Sequence, residues 1–256
     1  MLARYHPNSE YMLISQQGPT LRLFKQVERE LGTPAPLADV AQKCCDAFYE
    51  TFEQSIVLVR LFVTIPFAML PETEQTFARA VLERKQIVDP IVPTTPVMTL
   101  LGTRGVEKNW CDRQASQHYR AFPLVSQLLV ESMPMTAQLF RVLGSDLGST
   151  GPKESGITEK AWGAGRAGLF YVEHAARTVD AQGRKIIAVQ PFVEKYDVQT
   201  VFGAARAYRD DLFLVQLFFC RHPVSRERAR EFLPLAGILR GTTLRAIDSN
   251  NIFPAT

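Results

Sequence analysis

The sequence has few of the residues that hold metals or form disulfides, with only four cysteines and four histidines among 256 residues. No CxxC pair occurs, and the seven-residue separation of Cys111 and His118 fits no closed zinc pattern. A haem held by His118 or His174 is disfavoured, since an isolated histidine is more often bonded to protein or solvent. The adjacent Cys44 and Cys45 are poorly placed to bridge each other. We therefore predict no metal site, reduced thiols, and small core roles for these two cysteines.

Long hydrophobic runs and strong charge asymmetry are also absent. The longest apolar stretch, residues 56–70, is interrupted by Arg60 and Pro66, whereas a membrane span needs about 20 apolar residues. No secretory leader precedes the cysteines, so we predict a cytoplasmic protein without a membrane partner. The 29 basic and 26 acidic residues are spread along the chain. The excess of arginines in the last quarter is typical of a solvated surface, and no nucleic-acid partner is expected.

Complete catalytic motifs are missing as well. Neither GxSxG nor GxxxxGK[ST] occurs, and these are the strong local signals for hydrolases and nucleotide-driven enzymes. Gly163, Gly165 and Gly168 match GxGxxG, but they follow a polar loop and precede a strand, so they indicate loop flexibility. The sequence therefore assigns no catalytic residue and identifies no cofactor. It leaves open an enzyme of unrecognised type that uses Asp112 or His118 as acid or base.

The residues that are present have the composition of an ordinary globular protein, with 46% hydrophobic and 21% charged residues. Val40, Cys44, Phe48 and Phe52 recur every four residues, and this spacing predicts a helix with one apolar face. Residues 55–67 are β-branched, aromatic and almost entirely apolar. A strand of this kind is buried on both faces, so we expect it at the centre of its sheet.

Further elements follow in order along the chain. We predict a helix over 73–86, a strand over 96–105, a strand over 121–130, a helix over 134–144, a long loop over 145–168, and strands over 168–175 and 184–190. Residues 198–220 predict a β-hairpin with a polar tip at 209–211, and one long helix follows from an N-cap at Ser225. Together these elements predict an α/β (α+β) domain over residues 37–247, with an N-terminal helical extension over 1–36 and a C-terminal tail over 248–256.

The order of these elements resembles the GAF-like sensory domains of bacterial signalling proteins. Residues 192–236 are similar to the stretch that ends such regions when they are attached to histidine kinases and nucleotide cyclases, with a polar turn between two strands and a Pro-containing loop before the last helix. Residues 100–124 are similar to an earlier part of the same regions. The resemblance implies an antiparallel sheet flanked by helices, with a ligand pocket between the sheet and its loops. This sequence differs from such regions in having no kinase or cyclase signature, so we expect an output through a separate partner, a dimer interface or a neighbour in a complex.

Residues 104–120 form the most polar and chemically mixed segment of the chain, between two predicted strands. Arginine can hold a carboxylate or phosphate by two parallel hydrogen bonds, and tryptophan offers a stacking face with one donor. We therefore predict ligand-binding roles for Trp110, Asp112, Arg113, His118 and Arg120. The alternative is an ion pair of Asp112 with Arg113 or Arg120 that fixes the loop, while Trp110 caps the core.

These observations predict a stand-alone sensory protein of the bacterial cytoplasm that binds a small molecule or a signalling partner protein and has no catalysis of its own. The apolar stripe of the terminal helix is formed by Phe232, Leu235, Ala236 and Leu239. It can bury against its own sheet, pair with the same helix of a second subunit, or do both, and we predict a homodimer through that helix. Two alternatives remain: the enzyme described above, and a non-catalytic dimeric interaction protein.

Overall fold

A computed structural model describes residues 13–16, 20–31, 33–117, 119–143, 167–208 and 212–254. Within these ranges the strands are β1 (Ile56–Pro66), β2 (Pro96–Gly105), β3 (Ala121–Pro123), β4 (Ala167–Val172), β5 (Thr200–Ala207) and β6 (Phe213–Cys220). They form one six-stranded sheet in the order β3-β2-β1-β6-β5-β4. Every neighbouring pair of strands is antiparallel. The predicted class, with a single antiparallel sheet, is therefore confirmed.

The described α-helices are α1 (Thr20–Leu31), α2 (Leu37–Thr51), α3 (Glu72–Arg84), α4 (Gln127–Glu131), α5 (Pro134–Val142), α6 (Gln190–Lys195), α7 (Arg226–Arg230) and α8 (Leu233–Asp248). Helices α2 and α8 pack on one face of the sheet, which we call the α2 face, and α1 packs on both of them. Helices α4, α5 and α6 cover the opposite face, which we call the α5 face, while α3 lies beside β3. None of these described helices is long and apolar enough to cross a membrane.

Strand β1 is central, as predicted, because it pairs with β2 on one side and with β6 on the other. All its residues from Ile56 to Ile65 are buried except Arg60, since helices cover both faces of the sheet. On the α2 face, Phe48 of α2 packs edge-on against Phe218 of β6, with ring centroids 5.2 Å apart. On the α5 face, the rings of Phe140 and Phe213 are 5.3 Å apart. The core therefore has two apolar layers separated by the sheet.

The strand predicted over residues 121–130 is wrong beyond Pro123. The hydroxyl of Ser126 accepts a hydrogen bond from the backbone N–H of Leu129 at 3.4 Å, and α4 follows this cap. A serine in this position satisfies one of the unpaired N–H groups at a helix start, and this outweighs the strand preference of the apolar residues that follow. Leu129 and Val130 are buried all the same, as helical rather than strand residues.

The strand predicted over 168–175 is present as β4, but the strand predicted over 184–190 is wrong. Lys185 forms only an isolated bridge with Val179. The carboxylate of Asp180 accepts two backbone hydrogen bonds in the intervening turn, at 2.8 and 2.9 Å. Local side-chain bonds of this kind compete with strand pairing, and α6 begins a few residues later.

The terminal helix begins where predicted, because the hydroxyl of Ser225 accepts a hydrogen bond from the N–H of Arg228 at 3.2 Å. It is nevertheless two helices instead of one, since α7 ends at Arg230 and α8 begins at Leu233. Pro234 explains the break. Its ring lacks an N–H group and would clash with the carbonyl of Arg230 in a continuous helix.

Strands β5 and β6 form the predicted hairpin. Its tip at residues 209–211 lies outside the described residues, as do residues 144–166, which contain most of the predicted loop and the glycines Gly163 and Gly165.

The N-terminus of α2 is capped by residues near the end of the chain. Pro36 provides no side-chain cap, and the N–H groups of Leu37 and Ala38 donate to the carbonyls of Asn251 and Ile252 at 3.0 and 2.9 Å. Because the first N–H groups of a helix have no partner inside it, this contact holds the chain end beside α2. The division into extension, domain and tail stays a prediction.

Cys44, Cys45 and Cys220 are buried free thiols, which confirms the predicted core positions of the adjacent pair. Burial raises the pKa of the Cys44 thiol to about 12, and it raises the pKa of Cys45 and Cys220 as well. A thiol that stays protonated is a poor nucleophile and a poor metal ligand. These three cysteines therefore act as small apolar residues.

Helix α2 approaches β2 closely at Gly102, where an added Cβ would lie 2.3 Å from the carbonyl oxygen of Ala41. Gly102→Ala is expected to lower the free energy of unfolding by about 2 kcal/mol, because the obstructing atom belongs to the backbone and cannot rotate away. Gly241→Ala on α8 is the matched control: no atom lies within 4 Å of its added Cβ, and a gain of about 0.5 kcal/mol is expected from helix propensity. Urea unfolding of both variants tests this, and equal stability of Gly102→Ala and the unaltered protein would contradict the close packing.

Candidate functional site

Residues 107–120, which we call the 107–120 segment, connect β2 to β3 through two short 3-10 turns, Lys108–Trp110 and Arg113–Ala115. Trp110 fixes the start of the segment against the sheet. The hydroxyl of Thr103 donates to the carbonyl of Trp110 at 3.1 Å. The indole also covers Gly105, where an added Cβ would lie 2.9 Å from a ring carbon. A glycine is required there because the tryptophan ring occupies the space of a side chain.

The half-buried indole of Trp110 belongs to an aromatic cluster that includes α6. Its ring centroid is 4.9 Å from that of Tyr196 and 5.5 Å from that of Phe192. Phe192 in turn packs edge-on against Phe219 of β6 at 5.6 Å, and the hydroxyl of Tyr196 donates to the carboxylate of Glu107. Trp110 therefore joins the 107–120 segment and α6 to the α5 face.

The buried carboxylate of Glu74, on α3, holds the rest of the segment. The guanidinium of Arg113 donates to it at 2.7 Å, and that of Arg120 donates at 3.0 and 3.2 Å. The hydroxyl of Thr73 donates to the other carboxylate oxygen. Burial alone would raise the pKa of Glu74, but the hydrogen bonds from Thr73 and both arginines outweigh it, so the pKa lies below its usual 4.5. Glu74 is therefore ionised at neutral pH and pairs with both arginines.

Asp112 takes no part in this ion pair. Its exposed carboxylate accepts a hydrogen bond from the backbone N–H of Gln114 at 2.8 Å and caps the second 3-10 turn. The expected ion pair of Asp112 with Arg113 or Arg120 is therefore wrong. Glu74 provides the carboxylate instead, and it can reach both arginines because α3 packs beside β3.

The structure separates the five predicted contact residues. Arg113 and Arg120 meet at the buried carboxylate of α3, Trp110 lies with α6, and Asp112 caps a turn. His118 lies outside the described residues. The role of these five residues in ligand binding stays a prediction.

Sequence reasoning missed Arg60, which it recorded only as an interruption of an apolar run. Arg60 lies in the middle of β1, opposite Thr103 of β2 and Leu217 of β6. The neighbouring Gln216 contacts the thiol of Cys45 in α2 at 3.7 Å, so Gln216 points to the α2 face. Because successive strand residues alternate between faces, Leu217 and its partner Arg60 point to the α5 face.

The guanidinium of Arg60 has no acceptor in the part of the chain that the structure describes. Its Nε is buried without a hydrogen-bond partner. Burial lowers the pKa of Arg60 to about 10, and an electrostatic interaction with Tyr119 of the 107–120 segment opposes this lowering. Leu58 and Phe62 lie two residues away on the same strand and belong to the apolar layer of the α5 face. Arg60 is thus a half-buried positive charge whose Nε lies unpaired beside an apolar layer.

A metal centre and an open cleft are the other kinds of site that the described ranges could offer. No three His, Cys, Asp or Glu side chains there come together as metal ligands. A shallow cleft of about 580 Å³ lies between residues 68–71 and the chain end at residues 250 and 252–254. No charged side chain and none of the predicted contact residues lines this cleft, so it offers no group for recognising a charged ligand.

Comparison with known proteins finds similar solved structures only. No family model and no curated protein matches the sequence. The chain is similar to the phycoerythrobilin-bound GAF domain from a cyanobacterial phytochrome, with a TM-score of 0.49 and 10% identity over 91% of this chain and 98% of that one. It is also similar to the GAF domain of an Acinetobacter phosphoenolpyruvate-protein phosphotransferase, with a TM-score of 0.45 and 12% identity over 93% of this chain and all of that one. With TM-scores below 0.5 and identities of 10% and 12%, these similarities assign neither a family nor a ligand or function to the chain.

Proposed function

We propose that the chain is a GAF-like sensory protein of the bacterial cytoplasm that binds a small molecule on the α5 face and signals to a separate partner without catalysis of its own. The observation that supports this best is the guanidinium of Arg60, set in the central strand without an acceptor. Burying a charge without a partner is unfavourable for stability. Residues of this kind are common where binding, rather than folding, determines the side chain.

The surroundings of Arg60 suit a small molecule. Leu58, Phe62 and Leu217 form the buried apolar layer beside this charged group, and the half-buried indole of Trp110 provides an aromatic surface over the neighbouring strand β2. Ligand sites in proteins have this composition, a mostly apolar lining with a few polar groups that fix orientation.

The predicted contact residues take different parts in this proposal. Trp110 contacts the ligand, and Asp112 and His118 remain candidates because they belong to the same segment. Arg113 and Arg120 position the segment, since both of them pair with the buried carboxylate of Glu74.

Native mass spectrometry of the full chain tests the proposal. After gentle purification and incubation with a small-metabolite extract, we expect the folded protein to carry an added mass of a few hundred daltons, released on denaturation. Arg60→Met should lose this added mass while keeping the charge-state distribution of a folded protein. A spectrum with only the bare chain mass, before and after incubation, would contradict the proposal.

The homodimer through the terminal helix stays a prediction. Leu235, Ala236 and Leu239 are already buried in the described chain, so a partner helix would contact other residues, such as the partly buried Ile238 and Leu244. The same mass spectra report whether the assembly has the mass of one chain or two.

A further inference from the structure

Arg60 differs from the arginines that stabilise this fold in the hydrogen-bond acceptors available to its guanidinium. Arg113 and Arg120 donate to Glu74, and Arg228 donates to Ile14, Thr20 and Glu231. Each of these groups has oxygen acceptors within the protein. Arg60 has none in the described ranges, and the apolar side chains that surround it on its face of the sheet offer no replacement.

Its position also distinguishes Arg60 from the other arginines whose Nε lacks a partner. Arg104 and Arg206 lie near strand ends, Arg221 follows β6, and Arg240 lies on α8. Arg104 also has the carboxylate of Asp46 at 3.7 Å. Only Arg60 among these five comes from the middle of the central strand, where the sheet holds its backbone on both sides. A fixed backbone limits the positions that the guanidinium can take, which lowers the entropy lost when an anion binds.

We propose that Arg60 is the anion-binding group of the site and that the ligand is an apolar or aromatic molecule carrying a carboxylate or a phosphate. This inference depends on the proposed function, because it names the chemical class of the ligand at the same site. The planar fork of a guanidinium matches the two oxygens of a carboxylate or phosphate. The half-buried indole of Trp110, which lies over β2, then contacts the uncharged body of the ligand. Arg113 and Arg120 leave the anion to Arg60, since both already pair with the buried carboxylate of Glu74.

Isothermal titration calorimetry on the full chain tests this inference with matched probes. Benzoate and phenyl phosphate carry the two anions on the same ring, and benzamide and phenol are their uncharged counterparts. We expect at least one anion to bind at least about tenfold more tightly than its counterpart, as a charge-assisted hydrogen bond in apolar surroundings implies. The comparison of benzoate with phenyl phosphate identifies which oxoanion the site prefers.

Two variants assign the effect to Arg60. Arg60→Met should weaken anion binding at least about tenfold while leaving the weak binding of benzamide and phenol unchanged. Arg104→Met is the matched control, because Arg104 lies on β2, pairs with Asp46 of α2 and is partly exposed; it should bind the anions as the unaltered protein does. Without any anion, Arg60→Met should melt at or above the temperature of the unaltered protein, since methionine removes an unpaired charge from an apolar layer. A lower melting temperature would make Arg60 a structural residue and overturn the inference.

The other outcomes separate this inference from the proposed function. The preference for an anion would be wrong if benzoate bound no more tightly than benzamide and phenyl phosphate no more tightly than phenol. A small-molecule site would then still be present. The inference would also be overturned if neither benzoate nor phenyl phosphate bound. The native mass spectrum decides independently whether the chain holds a small molecule of another class.

Discussion

Arg228→Met is expected to lower the free energy of unfolding by about 3 kcal/mol, because a buried hydrogen-bonded charge loses all its contacts at once. Arg228 is only 4% exposed. Its guanidinium donates to the carbonyl of Ile14 at 2.7 Å, to the hydroxyl of Thr20 at 2.7 Å and to the carboxylate of Glu231. Methionine fills much of the volume but provides no donor, so the acceptors of the first two residues are left buried and unpaired.

The loss should be local as well as global, because Arg228 connects α7 to residues 13–16 and to the start of α1. Hydrogen exchange should therefore show a larger loss of amide protection in α1 than in β1. Arg230→Met is the matched control on the same helix, since Arg230 is exposed, and its effect should stay within about 0.5 kcal/mol. Urea unfolding that gives the same midpoint for both variants would contradict this role of Arg228.

Glu74→Gln is expected to lower the free energy of unfolding at pH 7 by about 3 kcal/mol, because it leaves two guanidinium groups without their carboxylate. Glu74 is 1% exposed, while Arg113 and Arg120 are 13% and 16% exposed, so water compensates the arginines only in part. Glutamine keeps the shape of the side chain, and the loss therefore reports on charge. Glu72→Gln, at an exposed position of the same helix, is the control and should change stability by less than about 0.5 kcal/mol.

The pH dependence of this difference tests its electrostatic origin. The pKa of Glu74 is lower in the folded protein than its usual 4.5, so the unfolded chain binds more protons in acid. The stabilisation is complete above pH 4.5, and it is lost as the pH falls from there through the lower pKa of the folded state. The stability difference between the unaltered protein and Glu74→Gln should therefore shrink as the pH falls below about 4.5. A difference that stays constant over this range would assign the loss to shape.

The elements that the sequence predicted well are those with a strong local pattern. The four-residue spacing of Val40, Cys44, Phe48 and Phe52 is enough to place α2. The run from Ile56, which is almost entirely apolar apart from Arg60, marks a strand covered on both faces. Patterns of this kind identify buried elements because packing acts on every turn or on every residue of them.

The errors arise where a single side chain overrides the local pattern. The hydroxyl of Ser126 begins a helix among strand-forming residues, the carboxylate of Asp180 replaces strand pairing in a turn, and Pro234 divides an otherwise continuous apolar stripe. Each effect comes from one or two atoms. It therefore changes the pattern of apolar residues in the sequence very little, although it determines the local backbone in the folded chain.

The candidate site was predicted only in part because its contacts are long-range. The arginines of the 107–120 segment were identified as anion holders, and Arg113 and Arg120 do hold an anion, but it is the carboxylate of Glu74, 39 and 46 residues earlier. Arg60 carried one usable signal, a lone charge in an otherwise apolar strand. That signal gains meaning only when the sheet shows which face the charge occupies and which acceptors it lacks.

Arginine side-chain NMR tests directly whether the guanidinium of Arg60 binds the ligand. The Nε–H resonance of Arg60, assigned by its absence from the spectrum of Arg60→Met, is followed while benzoate or phenyl phosphate is added to the full chain. We expect a saturable shift of this resonance with at least one anion, and no shift with benzamide or phenol. A resonance that stays in place while exposed arginines shift would contradict it.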